Sequence, residues 1–224
     1  LTALQIPFEL GSKGVHEEDW ANEWKKYFKP IHIGNRLAVV PSWENYQKKD
    51  GEIVLTIDPG MAFGTGNHET TKMCVHLLEE YIEPGMQVID AGCGSGILSI
   101  SSAKLGAQKV YALDLDPVAV QVTAENARGN GCGDMIEVKK SDLLSALPTD
   151  LKADIVVANI IADVVIKLNG IAKNYMKPGG MYICSGIIDA RVDEVRASLE
   201  QEGYRVIQIL EDGEWRALAC KYRG

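Results

Sequence analysis

The run Val88-Ile89-Asp90-Ala91-Gly92-Cys93-Gly94-Ser95-Gly96-Ile97-Leu98 passes from an apolar strand through three glycines into the start of a helix. Glycines let a ligand approach the backbone, and a helix amino terminus presents unpaired N–H groups. A nicotinamide dinucleotide site of the form Gly-x-Gly-x-x-Gly needs a glycine at position 97, which is Ile97 here. The glycines fall instead at Gly92, Gly94 and Gly96, more than a bare turn requires, and the strand carries an acid, Asp90. A second acid, Asp114, ends the next apolar run 22 residues after Gly92. That spacing suits a carboxylate accepting both hydroxyls of an adenosine ribose, and its charge would repel a 2′-phosphate.

Three further positions fall at strand ends or in a glycine-rich segment. Asp142 follows a third β-rich run, where it would accept from an adenine amino group; the alternative is an ordinary loop or cap role. Asn159 closes a fourth, in Ala158-Asn159-Ile160-Ile161, and a polar residue emerging from an apolar strand at this edge is a candidate for the reacting centre. Its alternative is an amide capping the next helix. Upstream, Phe63 and Gly64 lie within Asp58-Pro59-Gly60-Met61-Ala62-Phe63-Gly64-Thr65-Gly66-Asn67-His68-Glu69-Thr70-Thr71. Such a segment can fold over a ligand, with Phe63 excluding water and a threonine bonding the ligand. His68 has no metal-ligand partner at helical spacing except His76, eight residues on, so it reads as a cap or local hydrogen-bonding group. No zinc or other metal site is indicated. Asp116 before Pro117 reads as a helix cap. Trp20, Trp24, Trp43 and Trp215 read as core, and Glu79-Glu80 as a solvated helix face.

These residues need a scaffold, and the pattern after residue 87 supplies one. Short β-rich runs at 87–91, 109–114, 135–140, 154–159 and 180–185 alternate with helical stretches starting near Gly96, Pro117, Asp163 and Asp189. That alternation predicts a doubly wound α/β fold with a mostly parallel sheet. Asp212-Gly213 between runs 204–210 and 215–222 predicts an antiparallel hairpin at the carboxyl end. Runs 36–40 and 53–57 read as strands joined by a polar turn, and 16–28 as a helix with a stripe at Trp20, Trp24 and Phe28. The organisation expected is residues 1–15 as a linker or remnant, 16–57 as an extension packing on the catalytic part, and 58–224 as the catalytic domain.

The 224 residues carry 23 Lys+Arg against 31 Asp+Glu, a net charge of −8, which favours a basic partner over direct contact with nucleic acid. No apolar run approaches the roughly 18 residues needed to span a bilayer, and no signal peptide opens the chain. Five cysteines, an odd number without ligand spacing, suggest a reduced, cytoplasmic protein. Leu1 in place of Met suggests that a preceding stretch was removed. The oligomeric state is not legible.

The glycine loop from Asp90 to Gly96 with Asp114 resembles the class I S-adenosylmethionine-dependent methyltransferases. Together with the segment from Asp58 to Thr71 and with Ala158-Asn159-Ile160, the chain from about Glu18 onward is similar to the bacterial ribosomal protein L-11 methyltransferases. The resemblance implies a Rossmann-like fold, S-adenosylmethionine as cofactor, and Thr71, Gly92, Asp114 and Asn159 at cofactor-binding positions. It also implies methylation of lysine amines and the amino-terminal amine of a basic ribosomal protein, with residues 1–15 as the tail of a recognition domain that the chain otherwise lacks. Asn159 would orient the neutral amine. Asn159-Ile160-Ile161-Ala162 has neither the prolines nor the ring of the Asn-Pro-Pro-aromatic motif that holds planar amino groups, which argues against an RNA base or an amide as acceptor. A fold that binds the cofactor without turnover is the other alternative.

Overall fold

The computed structural model describes residues 24–60 and 62–224. Seven strands form the main sheet: β4 (Gln87–Ala91), β5 (Lys109–Asp114), β6 (Ile136–Lys140), β7 (Ala153–Asn159), β8 (Met176–Ile188), β9 (Tyr204–Asp212) and β10 (Trp215–Tyr222). Their order is β6-β5-β4-β7-β8-β10-β9, with β6 to β8 parallel and β10 antiparallel to both its neighbours. The expected α/β doubly wound sheet with its carboxyl-terminal hairpin is therefore present. Helices α1 (Glu69–Tyr81), α2 (Ile97–Lys104), α3 (Pro117–Gly129), α4 (Ala162–Ala172) and α5 (Val192–Gln201) cover it.

Strand side chains alternate between faces, and the central strands feed two separate cores. Val88, Ile155, Val157 and Ile183 join α1 and α2 in one core, whereas Ile89, Val156, Ala158 and Tyr182 join α4 and α5 in the other. Because both faces are covered, these strands are apolar over most of their length, with Asp90 and Asn159 near their carboxyl ends. The same parity assigns Asp90 and Asn159 to the α1 and α2 side.

A smaller sheet, β1 (Ile31–Ile33), β2 (Leu37–Val40) and β3 (Ile53–Thr56), adds Ile33, Leu37, Val39 and Leu55 to the first core. Here one expectation needs correcting. The strands expected to be joined by a polar turn pair in parallel, Leu37 opposite Ile53 through Val40 opposite Thr56. Residues 41–52 run back outside the pair rather than closing a hairpin. Glu52 pins that return by accepting from the Tyr46 hydroxyl at 2.8 Å and from the Lys49 N–H at 3.1 Å. These contacts hold its carboxyl below the usual range, the Lys49 backbone bond contributing most.

Glu79 is not a solvated helix residue. Its carboxylate accepts the backbone N–H groups of Asn35 and Arg36, the latter at 2.7 Å, and so ties the β1–β2 turn to α1. Trp215 and Trp43 are half-buried rather than fully core. Trp20 and most of the expected 16–28 helix lie outside the described residues, and a 3-10 turn occupies Trp24–Tyr27. Among the described residues no helix is long and apolar enough to cross a membrane. Replacing Glu79 with Ala should lower stability by roughly 1–3 kcal/mol in denaturant unfolding and raise amide exchange at Asn35 and Arg36. Unchanged exchange at both amides would show that the carboxylate is not the tie.

Candidate functional site

In the main sheet the strand order reverses between β4 and β7, and the crevice outside the carboxyl ends at such a point is where α/β proteins bind ligands. The ends of β4, β5, β6 and β7 bring Gly92, Asp114, Ser141-Asp142 and Asn159 to this edge. A cavity of about 280 Å³ there is lined by Gly92, Asp114, Leu115, Asp142, Leu143 and Ile160, with Val164 and Lys167 beside them.

The glycine turn is closed by the protein itself. Gly92 and Cys93 both donate to Leu113 O, at 2.8 and 3.0 Å, and Gly96 donates to Cys93 O at 2.7 Å. Gly94 donates to Asp114 Oδ2 at 2.9 Å, Ser95 to Phe63 O at 2.9 Å, and Ile97 to Ser95 Oγ at 3.3 Å. The backbone donors from Gly92 to Ile97 are therefore already taken, because a second loop and the β5 end supply acceptors that the sequence does not announce. A phosphate would find no cradle here, in contrast to nucleotide sites built on helix amino termini.

What the turn offers is a surface without side chains. Gly92 is exposed, with φ +83°, and a Cβ on it would lie 2.6 Å from Ile160 Cγ2. At Gly94, with φ +54°, a Cβ would meet Phe63 O at 2.5 Å. Gly96 is buried and backs onto Thr123. Asp114, half-buried, uses each oxygen once, Oδ2 for Gly94 and Oδ1 for the Asp116 N–H at 3.0 Å. A carboxylate can accept roughly four bonds, so each oxygen keeps capacity for a hydroxyl.

Asp90 lies beneath this surface. Its carboxyl is fully buried, accepts the Ser99 hydroxyl on Oδ2 at 2.6 Å, and has no partner for Oδ1. Burial pushes its pKa up to about 7; the Ser99 hydroxyl opposes the shift, and nearby Asp114 adds to it. Burial likewise pushes the Cys74 and Cys93 thiols up, so neither is an activated nucleophile.

Asn159 and Thr71, far apart in sequence, meet: the Asn159 amide nitrogen donates to the buried Thr71 hydroxyl at 3.2 Å. Among the described residues the Asn159 side-chain carbonyl has no hydrogen-bond partner. Around them, the 62–66 loop lies over the glycine turn, held by the Ser95 N–H on Phe63 O and by the Ser95 hydroxyl on Gly64 O at 2.5 Å. The Phe63 ring is 64% exposed and stands 5.9 Å from the His68 ring, which in turn sits 5.0 Å from Trp215. Phe63 and Gly64 line a separate, more open cavity of about 580 Å³ with Ala62, Asn67 and His68. His68 caps α1, accepting the Thr70 N–H, and Asp116 caps α3 through the Val118 N–H at 2.8 Å.

Asp142 stands exposed on the wall of the smaller cavity, while its neighbour Ser141 makes the local bond, accepting the Ala146 N–H at 3.1 Å. Sequence reasoning missed Ser95, Thr123 and Asn126, which hold the turn through Gly64 O, Gly94 O and Ser95 O. It also missed Leu143, whose φ of +49° is the sole positive value at a non-glycine among the described residues. That geometry costs about 1–2 kcal/mol and turns the chain along the cavity wall. Nothing in the residue type marks it.

A family model described as ribosomal protein L11 methyltransferase (PrmA) matches residues 3–223. The ribosomal protein L11 methyltransferase of Desulforamulus reducens is 51% identical over 210 residues, 94% of this chain and 68% of that protein. That of Thermoanaerobacter pseudethanolicus is 51% identical over 214 residues, 96% of this chain and 68% of its own. The crystal structure of ribosomal protein L11 methylase from Lactobacillus delbrueckii subsp. bulgaricus superposes with a TM-score of 0.82 at 32% identity, over 88% of this chain and 100% of that one. A methyltransferase from Pyrococcus furiosus, 17% identical with a TM-score of 0.62 over 76% of this chain and 89% of its own, shares the fold.

The contact between the two loops is testable. Gly94→Ala should force the Phe63 carbonyl away, destabilise the protein by roughly 1–3 kcal/mol and speed amide exchange at Ser95, whose N–H loses its acceptor. Protection at Ser95 equal to the wild type would contradict the docking.

Proposed function

The chain belongs to the ribosomal protein L11 methyltransferase family, and on that premise we propose that it moves methyl groups from S-adenosylmethionine to amines of ribosomal protein L11, on lysine side chains and the amino terminus. The observation that carries the cofactor reading is one cavity wall on which an exposed Gly92 stands beside Asp114, under a turn whose donors are all consumed. Such a wall accepts hydroxyls and refuses phosphates, which fits an adenosine compound without phosphate.

The residues fit that group in three further respects. Gly92 is exposed and leaves bare backbone where a Cβ would collide with Ile160, Asp114 has acceptor capacity for the two ribose hydroxyls, and Asp90 has a buried oxygen without a partner. Asp142 on the cavity wall would accept from the adenine amino group, between the apolar walls of Leu115, Leu143 and Ile160. Gly94 and Gly96 give the turn its shape. With a ligand bound, the exposed Phe63 ring and Gly64, seated on the turn by Ser95, would exclude water from the other side, and Thr71 fixes Asn159. When bound, S-adenosylmethionine supplies a methyl group on a sulfonium, electrophilic enough that alignment and desolvation carry much of the catalysis.

Asn159 is the residue we assign to the acceptor. With its nitrogen engaged by Thr71, its free carbonyl can accept from a neutral amine and hold the nitrogen lone pair in line. A lysine amine has an unperturbed pKa near 10.4 and must shed its proton first, which an apolar, water-poor mouth favours. Residues 58–224 form the transferring domain in this reading, with 16–57 bracing it. The net charge of −8 suits a basic ribosomal protein in the cytoplasm.

Incubation of the chain with methyl-labelled donor and purified L11 should place label on amines of L11. Asn159→Ala should lower transfer by roughly a hundredfold or more while the Kd for S-adenosylhomocysteine changes less than about threefold. Unchanged transfer would remove Asn159 from the reaction, and label on ribosomal RNA instead of L11 would overturn the substrate.

A further inference from the structure

Asp90 is a buried acid without a counter-charge. The groups around it are the hydroxyl and the backbone N–H of Ser99 from α2, the Cys74 thiol from α1, the Cys93 thiol from the glycine turn and the Asp114 carboxylate from β5. One hydroxyl and one N–H, both from Ser99, with two neutral thiols and a second acid, give a carboxylate little compensation for leaving water, and a buried ionised carboxylate without a counter-charge is costly. Oδ1 has no hydrogen bond at all. The carboxyl sits two residues before Gly92, at the end of the strand that carries the cavity wall.

We infer that Asp90 is a proton-linked counter-charge for the cofactor: in the empty protein its carboxyl is divided between protonated and ionised forms at neutral pH, and a cationic ligand coming to rest above the glycine turn drives the bound proton to solvent. The inference rests on the cofactor reading above and extends it. In the step the Asp90 O–H bond breaks, the electron pair stays on the carboxylate and the proton passes to buffer; nothing is oxidised or reduced. The sulfonium gives S-adenosylmethionine one positive charge more than its thioether product, S-adenosylhomocysteine. Donor binding therefore favours the ionised acid, and the product, lacking that charge, leaves as the acid is reprotonated.

The sign of the pH dependence follows. In the empty protein burial pushes the carboxyl up to about 7, and a cationic ligand would lower that value. Donor affinity then rises with pH through the neutral range and flattens above it. From pH 8 to pH 6 the Kd of the donor should weaken about tenfold, with much less change for the product. Calorimetry at pH 7 in two buffers of different ionisation enthalpy should show about half a proton released per donor bound.

Asp90→Asn keeps the shape and the Ser99 contact but cannot ionise, so it should abolish both the slope and the proton release. If that variant does not fold, Ser99→Ala removes the hydroxyl that favours the ionised form and should move the midpoint of the donor affinity profile to higher pH. Affinity independent of pH, equal slopes for donor and product, or an unmoved midpoint in Ser99→Ala would overturn the inference while leaving the cofactor reading intact. Failure of either compound to bind the wild-type chain at any pH would overturn both.

Discussion

Every backbone donor from Gly92 to Ile97 is satisfied within the protein, and this constraint shapes the rest of the site. Glycine turns between a strand and a helix usually work by offering N–H groups and a positive helix end to an anion. Here Leu113 O, Asp114 Oδ2 and Phe63 O take those donors, and Asp90 stands buried beneath the turn. Selectivity then passes from donors to acceptors: carboxylates at Asp114 and Asp142 and a carbonyl at Asn159. A site of this kind recognises hydroxyls, amino groups and cations, and the chemistry it can host follows from that list.

The sheet places these acceptors with little freedom. Parity along β4 and β7 sends Val88, Asp90, Val157 and Asn159 toward α1 and α2, and α1 answers with Thr71 opposite Asn159. A slip of one residue in β7 would put Asn159 on the other face, and one in β4 would put Asp90 among the apolar residues against α4. The cost of such a slip, spread over the buried Val and Ile residues of both cores, fixes the geometry of the polar groups at the strand ends. The 62–66 loop then gains a fixed seat, since Gly94 and Ser95 accept it only where no Cβ intervenes.

Much of this was legible from residue types. Apolar runs buried on both faces marked β4, β5 and β7, Asp212-Gly213 marked the terminal hairpin, and the acids and amide at strand ends marked the edge where the cavity lies. Other features depend on contacts that no local pattern carries. The parallel pairing of β2 with β3 is decided by the route of residues 41–52, which Glu52 and Tyr46 hold from outside. Glu79 has the composition of a solvated helix face, yet a turn 43 residues away in sequence closes on it. The acceptors that occupy the glycine turn come from two other segments, and Leu143 adopts its backbone geometry with an ordinary side chain.

The central claim is that Gly92, Asp114 and Asn159 form one surface for an S-adenosyl compound. A crystal structure with S-adenosylhomocysteine tests it most directly. The expected result has both ribose hydroxyls within about 3 Å of the Asp114 carboxylate, the adenine in the cavity beside Asp142, and the sulfur on the Asn159 side, with the Gly92 to Ile97 donors still bonded to protein. A ligand whose carboxylate had displaced Phe63 O or Leu113 O from the turn, or one seated instead in the groove between Phe28, Val39 and Ile57, would contradict it.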